Sequence, residues 1–168
     1  MKKILVLSLI LICTKAFAAD APALIGDYDD WSAYTFKEGN KTVCYMASTP
    51  KRDEGNYTKR GDIYAVVTHR PAEKSFDVVN FVAGYTLKAN APFTVKIGRE
   101  TFTKFFTEDD KSWTLNDDED AKLVKAMKRG ERMIVEATSN RGTKTKDTYS
   151  LKGFAKAYKA INAKCGKK

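Results

Sequence analysis

The chain has 168 residues, with 30 Lys+Arg against 21 Asp+Glu and a single histidine. One histidine excludes a His-built metal cluster, and no apolar run reaches the about 20 residues that a membrane-spanning helix needs. The length suits one domain with one core, and no internal repeat, low-complexity tract or linker divides it.

Residues 1–18 read as a secretory leader. Lys2 and Lys3 form the charged end, residues 4–12 the apolar core, and Ala16-Phe17-Ala18 the small-residue cleavage site. Lipid modification at Cys13 would want a small residue before it, where Ile12 stands. Cleavage after Ala18 leaves 168 − 18 = 150 residues and, without Lys2, Lys3 and Lys15, a charge of 27 − 21 = +6. It also leaves two cysteines, Cys44 and Cys165, and an oxidising destination favours their pairing.

Residues 20–30 read as a short acidic tether. Residues 31–36 form a first strand anchored by Trp31, and Glu38-Gly39-Asn40 turns into a second, 41–48, that carries Cys44. Residues 49–60, polar with Pro50 and Gly55, are the longest loop. The uninterrupted Ile63-Tyr64-Ala65-Val66-Val67 within 62–68 predicts a strand buried on both faces, and Pro71 ends it because proline cannot donate to a ladder. Residues 75–85 alternate, with Val79, Phe81, Ala83 and Tyr85 on one face. Strands at 93–97 and 100–106 meet at Gly98-Arg99, a two-residue hairpin connection. Residues 112–115 make a short edge segment with Trp113 packing inward.

A helix over 117–129 follows. Asn116 caps it, Glu119 completes the capping-box spacing, residues 117–120 suit the positive end of the helix dipole, and Gly130 stops it. Met133, Val135 and Ala137 alternate with polar neighbours in a strand over 132–139. Asn140-Arg141-Gly142 supplies turn chemistry, and the strand over 143–151 puts Lys144 and Lys146 on one face and Tyr149 and Leu151 on the other. Phe154, Tyr158, Ile161 and Cys165 recur at helical spacing in a closing helix over 153–164. Short strands with regular turn signals predict an all-β antiparallel sandwich with two peripheral helices. Its buried set is Trp31, Ile63, Ala65, Val67, Phe81, Leu123, Val135, Tyr149 and Phe154.

Val43-Cys44-Tyr45-Met46, Val67-Thr68-His69-Arg70-Pro71 and Phe81-Val82-Ala83-Gly84-Tyr85 together resemble the invasion-associated locus B family of exported bacterial proteins. So do the run from Ala121-Lys122-Leu123-Val124 through Ser139-Asn140-Arg141-Gly142-Thr143 and the close, Asp147-Thr148-Tyr149-Ser150-Leu151-Lys152-Gly153-Phe154 to Cys165. The resemblance implies an immunoglobulin-like β-sandwich in the periplasm or at the cell surface, and a link to host-cell invasion in the family's founding members. It implies no catalytic residues.

Other signals are sparse. His69 reads as a strand-end histidine bonded to a loop carbonyl. The other reading is a hydrolase in which His69 works with a nearby carboxylate, although no nucleophile-elbow glycines accompany it. Residues 117–120 lack the alternating acidic spacing and central glycine of a calcium loop, so no metal or other cofactor is expected. Arg141, Lys144 and Lys146, with Lys156, Lys159, Lys164, Lys167 and Lys168 on the closing helix and tail, are the remaining candidates. As solvated lysines they keep an edge strand soluble. As a working surface they suit anionic lipid headgroups, lipopolysaccharide phosphates or host glycans, with nucleic acid a poor partner for an exported chain. The expected protein is a non-enzymatic interaction protein of the envelope or surface, not membrane-spanning.

Overall fold

The computed structural model describes residues 21–167. The leader reading of 1–18, with the Cys13 alternative, lies outside the described residues, as does Lys168. Twelve strands and two α-helices follow in order: β1 Ala23–Tyr28, β2 Trp31–Glu38, β3 Lys41–Ser48, β4 Arg52–Gly55, β5 Tyr64–Arg70, β6 Ser75–Val82, β7 Thr94–Ile97, β8 Glu100–Phe102, β9 Phe105–Glu108, β10 Lys111–Thr114, α1 Asp117–Met127, β11 Arg132–Thr138, β12 Lys144–Ser150 and α2 Phe154–Cys165. They make two antiparallel sheets, one of seven strands in the order β1-β2-β3-β5-β6-β10-β9 and one of five in the order β4-β12-β11-β7-β8. The all-β sandwich is therefore observed.

Both sheets turn apolar residues toward one contiguous core that includes Trp31, Met46, Val67, Phe81, Val95, Leu123, Val135, Tyr149 and Phe154. The helices join that core. α1 packs on β6 and β10, and α2 packs on β1, β2, β3 and β5, where Phe154 meets Trp31 edge-on at 4.9 Å between ring centroids. Trp31 also donates its indole N–H to the Ser150 carbonyl at 3.0 Å, pinning β2 to the end of β12. Gly153 begins α2 at φ 88°, and a Cβ there would lie 1.7 Å from the Tyr28 carbonyl oxygen. Only glycine lets the helix start so close to β1. Among the described residues no helix is long and apolar enough to cross a membrane.

Several expectations need correction. The tether contains β1, which pairs with β2, and the long loop contains β4, which pairs with β12 from Thr145↔Gly55 to Thr148↔Arg52. Both are polar or edge strands whose ladders come from a neighbour rather than from their own patterning. The expected strand at 100–106 is two: β8 pairs with β7, while β9 crosses to the other sheet and pairs with β10. β10 is not an edge, because β6 and β9 flank it. Its inward residues are Ser112 and Thr114, so Trp113 points outward and stacks on Phe106 at 5.3 Å. β5 is buried on one face only, with Ala65, Val67 and His69 inward, and Ile63 precedes it only partly buried. The other expected core residues are buried.

Candidate functional site

The β11–β12 hairpin is the regular frame from which the candidate residues project. Its strands pair without interruption from Arg132↔Ser150 to Thr138↔Lys144. The turn is closed by two backbone bonds, Gly142 N–H to the Ser139 carbonyl and Ser139 N–H to the Thr143 carbonyl, each 2.8 Å. The Ser139 hydroxyl also accepts the Thr143 N–H at 3.1 Å. Gly142 sits at φ 87°, a region that favours glycine. Strand alternation then sends Lys144 and Lys146 outward and Thr145, Asp147 and Tyr149 inward.

The three candidate cations line two concavities that meet at Thr145. Lys144 and Lys146 line an open concavity of about 630 Å3 on the outer face of the five-stranded sheet, together with Glu54 and Glu136. Lys146 lies 3.9 Å from Glu54, and Glu136 is bound by Lys96 at 2.6 Å. Arg141, at the turn, instead lines a cleft of about 580 Å3 with Lys59, Arg60, Tyr57 and Tyr85.

That cleft rests on a buried ion pair that the sequence reading missed. Arg60 donates through both terminal nitrogens to the two Asp147 oxygens, at 2.6 and 2.7 Å, and through Nε to the Ala83 carbonyl at 2.7 Å. Both side chains are almost fully buried. The guanidinium carbon lies 5.5 Å from the Tyr57 ring centroid and 4.9 Å from that of Tyr85, so cation–π attraction adds to the fork. Burial pushes the Asp147 carboxyl up, and the Arg60 hydrogen bonds oppose that push. The Tyr85 hydroxyl pairs with Thr145 at 2.5 Å. A signal was available: an aspartate at the inward parity of a strand, two residues before Tyr149, needs a distant partner, either a cation or hydrogen-bond donors.

His69 is fully buried, and its partner differs from the loop carbonyl expected. Its Nδ1 accepts the Asp77 backbone N–H at 3.1 Å, which leaves the proton on Nε2, 2.7 Å from the Asn162 side-chain oxygen on α2. Burial holds its pKa below the ordinary value, against the pull of Asn162 and Asp77. Neither ring nitrogen is free for proton transfer. Beside it, Asp77 takes φ 64° and accepts from Tyr158 at 2.7 Å and from Lys167, closing a polar knot between β6 and α2.

At the acidic start of α1 the Asn116 side chain accepts the Glu119 N–H at 3.0 Å. The Glu119 carboxylate does not complete the reciprocal box; it pairs with Lys104 and Lys122 at 3.0 and 2.9 Å. Asp120 turns inward and accepts the Val79 N–H at 2.7 Å, taking the place of a neighbouring strand beyond the end of β10. Burial pushes its pKa up to about 6 against the hydrogen bonds from Val79 and Thr114. Among the described residues no group of His, Cys, Asp and Glu is placed to hold a metal.

Cys44 on β3 and Cys165 at the end of α2 form a disulfide, with their Cα atoms 6.1 Å apart and a sequence separation of 121. Two antiparallel sheets over a shared core, with a helix bonded covalently to the central region of the larger sheet, define a disulfide-tied β-sandwich protein. This construction is compatible with a place outside the reducing cytoplasm. Residues 31–162 match the family model described as Invasion associated locus B (IalB) protein. The match spans 162 − 31 + 1 = 132 of the 168 residues, and the chain belongs to that family. No curated protein and no solved structure matches the chain.

Proposed function

We propose that the protein is exported, after cleavage near Ala18, and acts without catalysis as an interaction protein of the envelope or cell surface. It docks onto anionic polymers of the envelope or of a host-cell surface through the β11–β12 hairpin, a task in keeping with the invasion-associated name of its family. The carrying observation is the hairpin itself, a fully paired element that holds Arg141 at its turn and Lys144 and Lys146 on an exposed face. Preorganised cations of this kind chiefly speed encounter and make binding salt-dependent. The acidic neighbours do not cancel them: Glu136 is already engaged by Lys96, and an exposed pair such as Lys146–Glu54 is weak and easily exchanged.

The hydrolase reading rested on His69. With both ring nitrogens engaged and the side chain sealed under α2, His69 supplies no general base to a substrate, so the interaction reading is the one the geometry favours. The test is the triple variant Arg141→Ala/Lys144→Ala/Lys146→Ala, checked for folding by thermal melting. Its retention on vesicles carrying anionic lipid or on immobilised anionic polysaccharide is then compared with wild type across a salt series. The expected result is weaker binding and a shallower salt dependence. Unchanged affinity and slope would reduce the hairpin to a solvated edge.

A further inference from the structure

We propose that the cleft beside the hairpin turn is a binding site for one anionic saccharide unit, carboxylated or phosphorylated. The proposal rests on the reading above and assigns the step of recognition to a different place from the Lys144–Lys146 face.

Three separate stretches build the cleft: the β4–β5 connection, the segment after β6, and the β11–β12 turn. Backbone bonds lock them together. The Gly61 N–H reaches the Gly84 carbonyl at 2.9 Å, and the Asn140 N–H reaches the Thr86 carbonyl at 2.8 Å. Gly84 is at φ 72°, and a Cβ there would come within 2.5 Å of the Gly61 oxygen, so the close approach of these walls requires glycine. The floor is equally fixed, because Arg60 is gripped by Asp147, Ala83 and two tyrosine rings. A site whose walls and floor are set before binding loses little entropy on occupation, and about 580 Å3 falls within the range of small-molecule sites.

The chemistry of the lining selects the ligand. Asp147 neutralises Arg60, and no carboxylate lines the cleft. Lys59 and Arg141 are both exposed, and neither is ion-paired among the described residues. The cleft therefore carries a net positive charge at its rim. The same lining includes Thr58, Thr86, Asn140 and Thr143, side chains that both donate and accept. Sugar hydroxyls have the same dual character, and Tyr57 and Tyr85 add aromatic surface for a pyranose ring. A bare inorganic anion would use the two cations and leave the rest of the lining idle.

The test is an NMR titration of the full protein. Galacturonate disaccharide and glucose 1-phosphate are the anionic probes; lactose and inorganic phosphate are the controls. Saturable amide shifts are expected at residues 84–86 and 139–143 with at least one anionic sugar, and the better probe shows which acid group is preferred. Lys59→Gln/Arg141→Gln should raise Kd about tenfold or more, whereas Lys144→Gln/Lys146→Gln should change it by less than about twofold. Shifts confined to the outer sheet face, equal binding of a control, or no saturable binding of either anionic sugar would overturn the site. The shift map decides this on wild type even if a variant folds poorly. Polygalacturonate retention, measured in parallel, separates the two proposals. If the polymer binds while the short probes miss the cleft, only the cleft assignment fails; if neither binds, the docking reading fails with it.

Discussion

The two sheets turn opposite chemistry toward solvent. The seven-stranded sheet carries Tyr34 stacked on Tyr45 at 5.0 Å, with Phe36 edge-on to Tyr45 at 5.9 Å. A register-matched row runs across its middle from Phe106 through Trp113, Asn80 and Val66 to Ala47. The five-stranded sheet carries a lattice of charge in the corresponding place, with Lys96, Glu136, Lys146 and Glu54 side by side. The inner ties differ as well. The larger sheet is held to its helices by the disulfide, the His69–Asn162 bond and the Asp120–Val79 bond, whereas the smaller one is anchored by the Arg60–Asp147 fork. Contacts between aromatic side chains hold their arrangement with little regard to salt. Exposed ion pairs of small net value exchange partners readily, which makes the charged sheet the better place for reversible attachment.

The largest expected effect tests the covalent tie of the larger sheet. Cys44→Ser/Cys165→Ser should lose about 4–5 kcal/mol on the chain-entropy estimate for so long a loop, read from denaturant unfolding. The purified oxidised protein should show no free thiol in denaturant. Two reactive thiols would remove this side of the comparison. On the smaller sheet, Asp147→Ala leaves the Arg60 charge buried without its partner and should cost about 3–5 kcal/mol. A loss below about 1 kcal/mol would mean that the fork is not an anchor.

A smaller effect, opposite in sign, is expected at Asp120. Its folded pKa of about 6 exceeds its unfolded value of about 3.9. Between these values the native state binds more protons than the unfolded chain, so Asp120's contribution to stability falls as pH rises through this window. Asp120→Asn keeps an acceptor for Val79 and removes the buried charge. It should be more stable than wild type by about 2–3 kcal/mol above pH 6, the gain vanishing near pH 4. His69, whose pKa is held down by burial, pulls the whole-protein profile the other way by losing stability as pH drops. The difference between wild type and variant therefore isolates Asp120, and a gain that grows toward acid would contradict the assignment.

The smallest effects compare the outer faces directly. Trp113→Ala should cost about 1–2 kcal/mol, unchanged between low and high salt. A double-mutant cycle on Glu54 and Lys146 should give a coupling of about 0.5 kcal/mol or less that disappears in high salt. Salt sensitivity at Trp113, or a salt-resistant coupling on the other face, would erase the distinction between the two surfaces.

The same contrast explains what could be read from the residues alone. The β11–β12 hairpin and both helices were legible because period and caps agree there: Met133, Val135 and Ala137 alternate, Gly142 turns, and Asn116 caps. β4 was not, since Arg52-Asp53-Glu54-Gly55 has neither apolar alternation nor strand propensity and is a strand only because β12 offers an edge. The apolar run at β5 misled for a related reason. Val66 is apolar on a face that looks outward over an aromatic sheet surface, not into a second layer. Trp113 departs from the expected inward packing because the parity set by Ser112 and Thr114 turns it outward. For the candidate site, the hairpin cations were visible as a pattern, whereas their division between two surfaces depends on the turn. Arg60 and Asp147 lie 87 residues apart, and no local spacing could pair them.

The disulfide has a mechanical consequence. Cys44 and Cys165 bracket every element from the middle of β3 to the end of α2, so tension applied at the two ends of the described chain passes through the sulfur bond and bypasses all that lies between. Fully stretched, residues 21–44 and 165–167 give the oxidised protein a reach of about 90 Å, against about 500 Å for the reduced chain. Both candidate surfaces, the hairpin face and the cleft, lie inside the bypassed segment. End-to-end tension on the oxidised molecule therefore strains β1 and β2 and leaves both candidate surfaces unloaded until the bond is reduced.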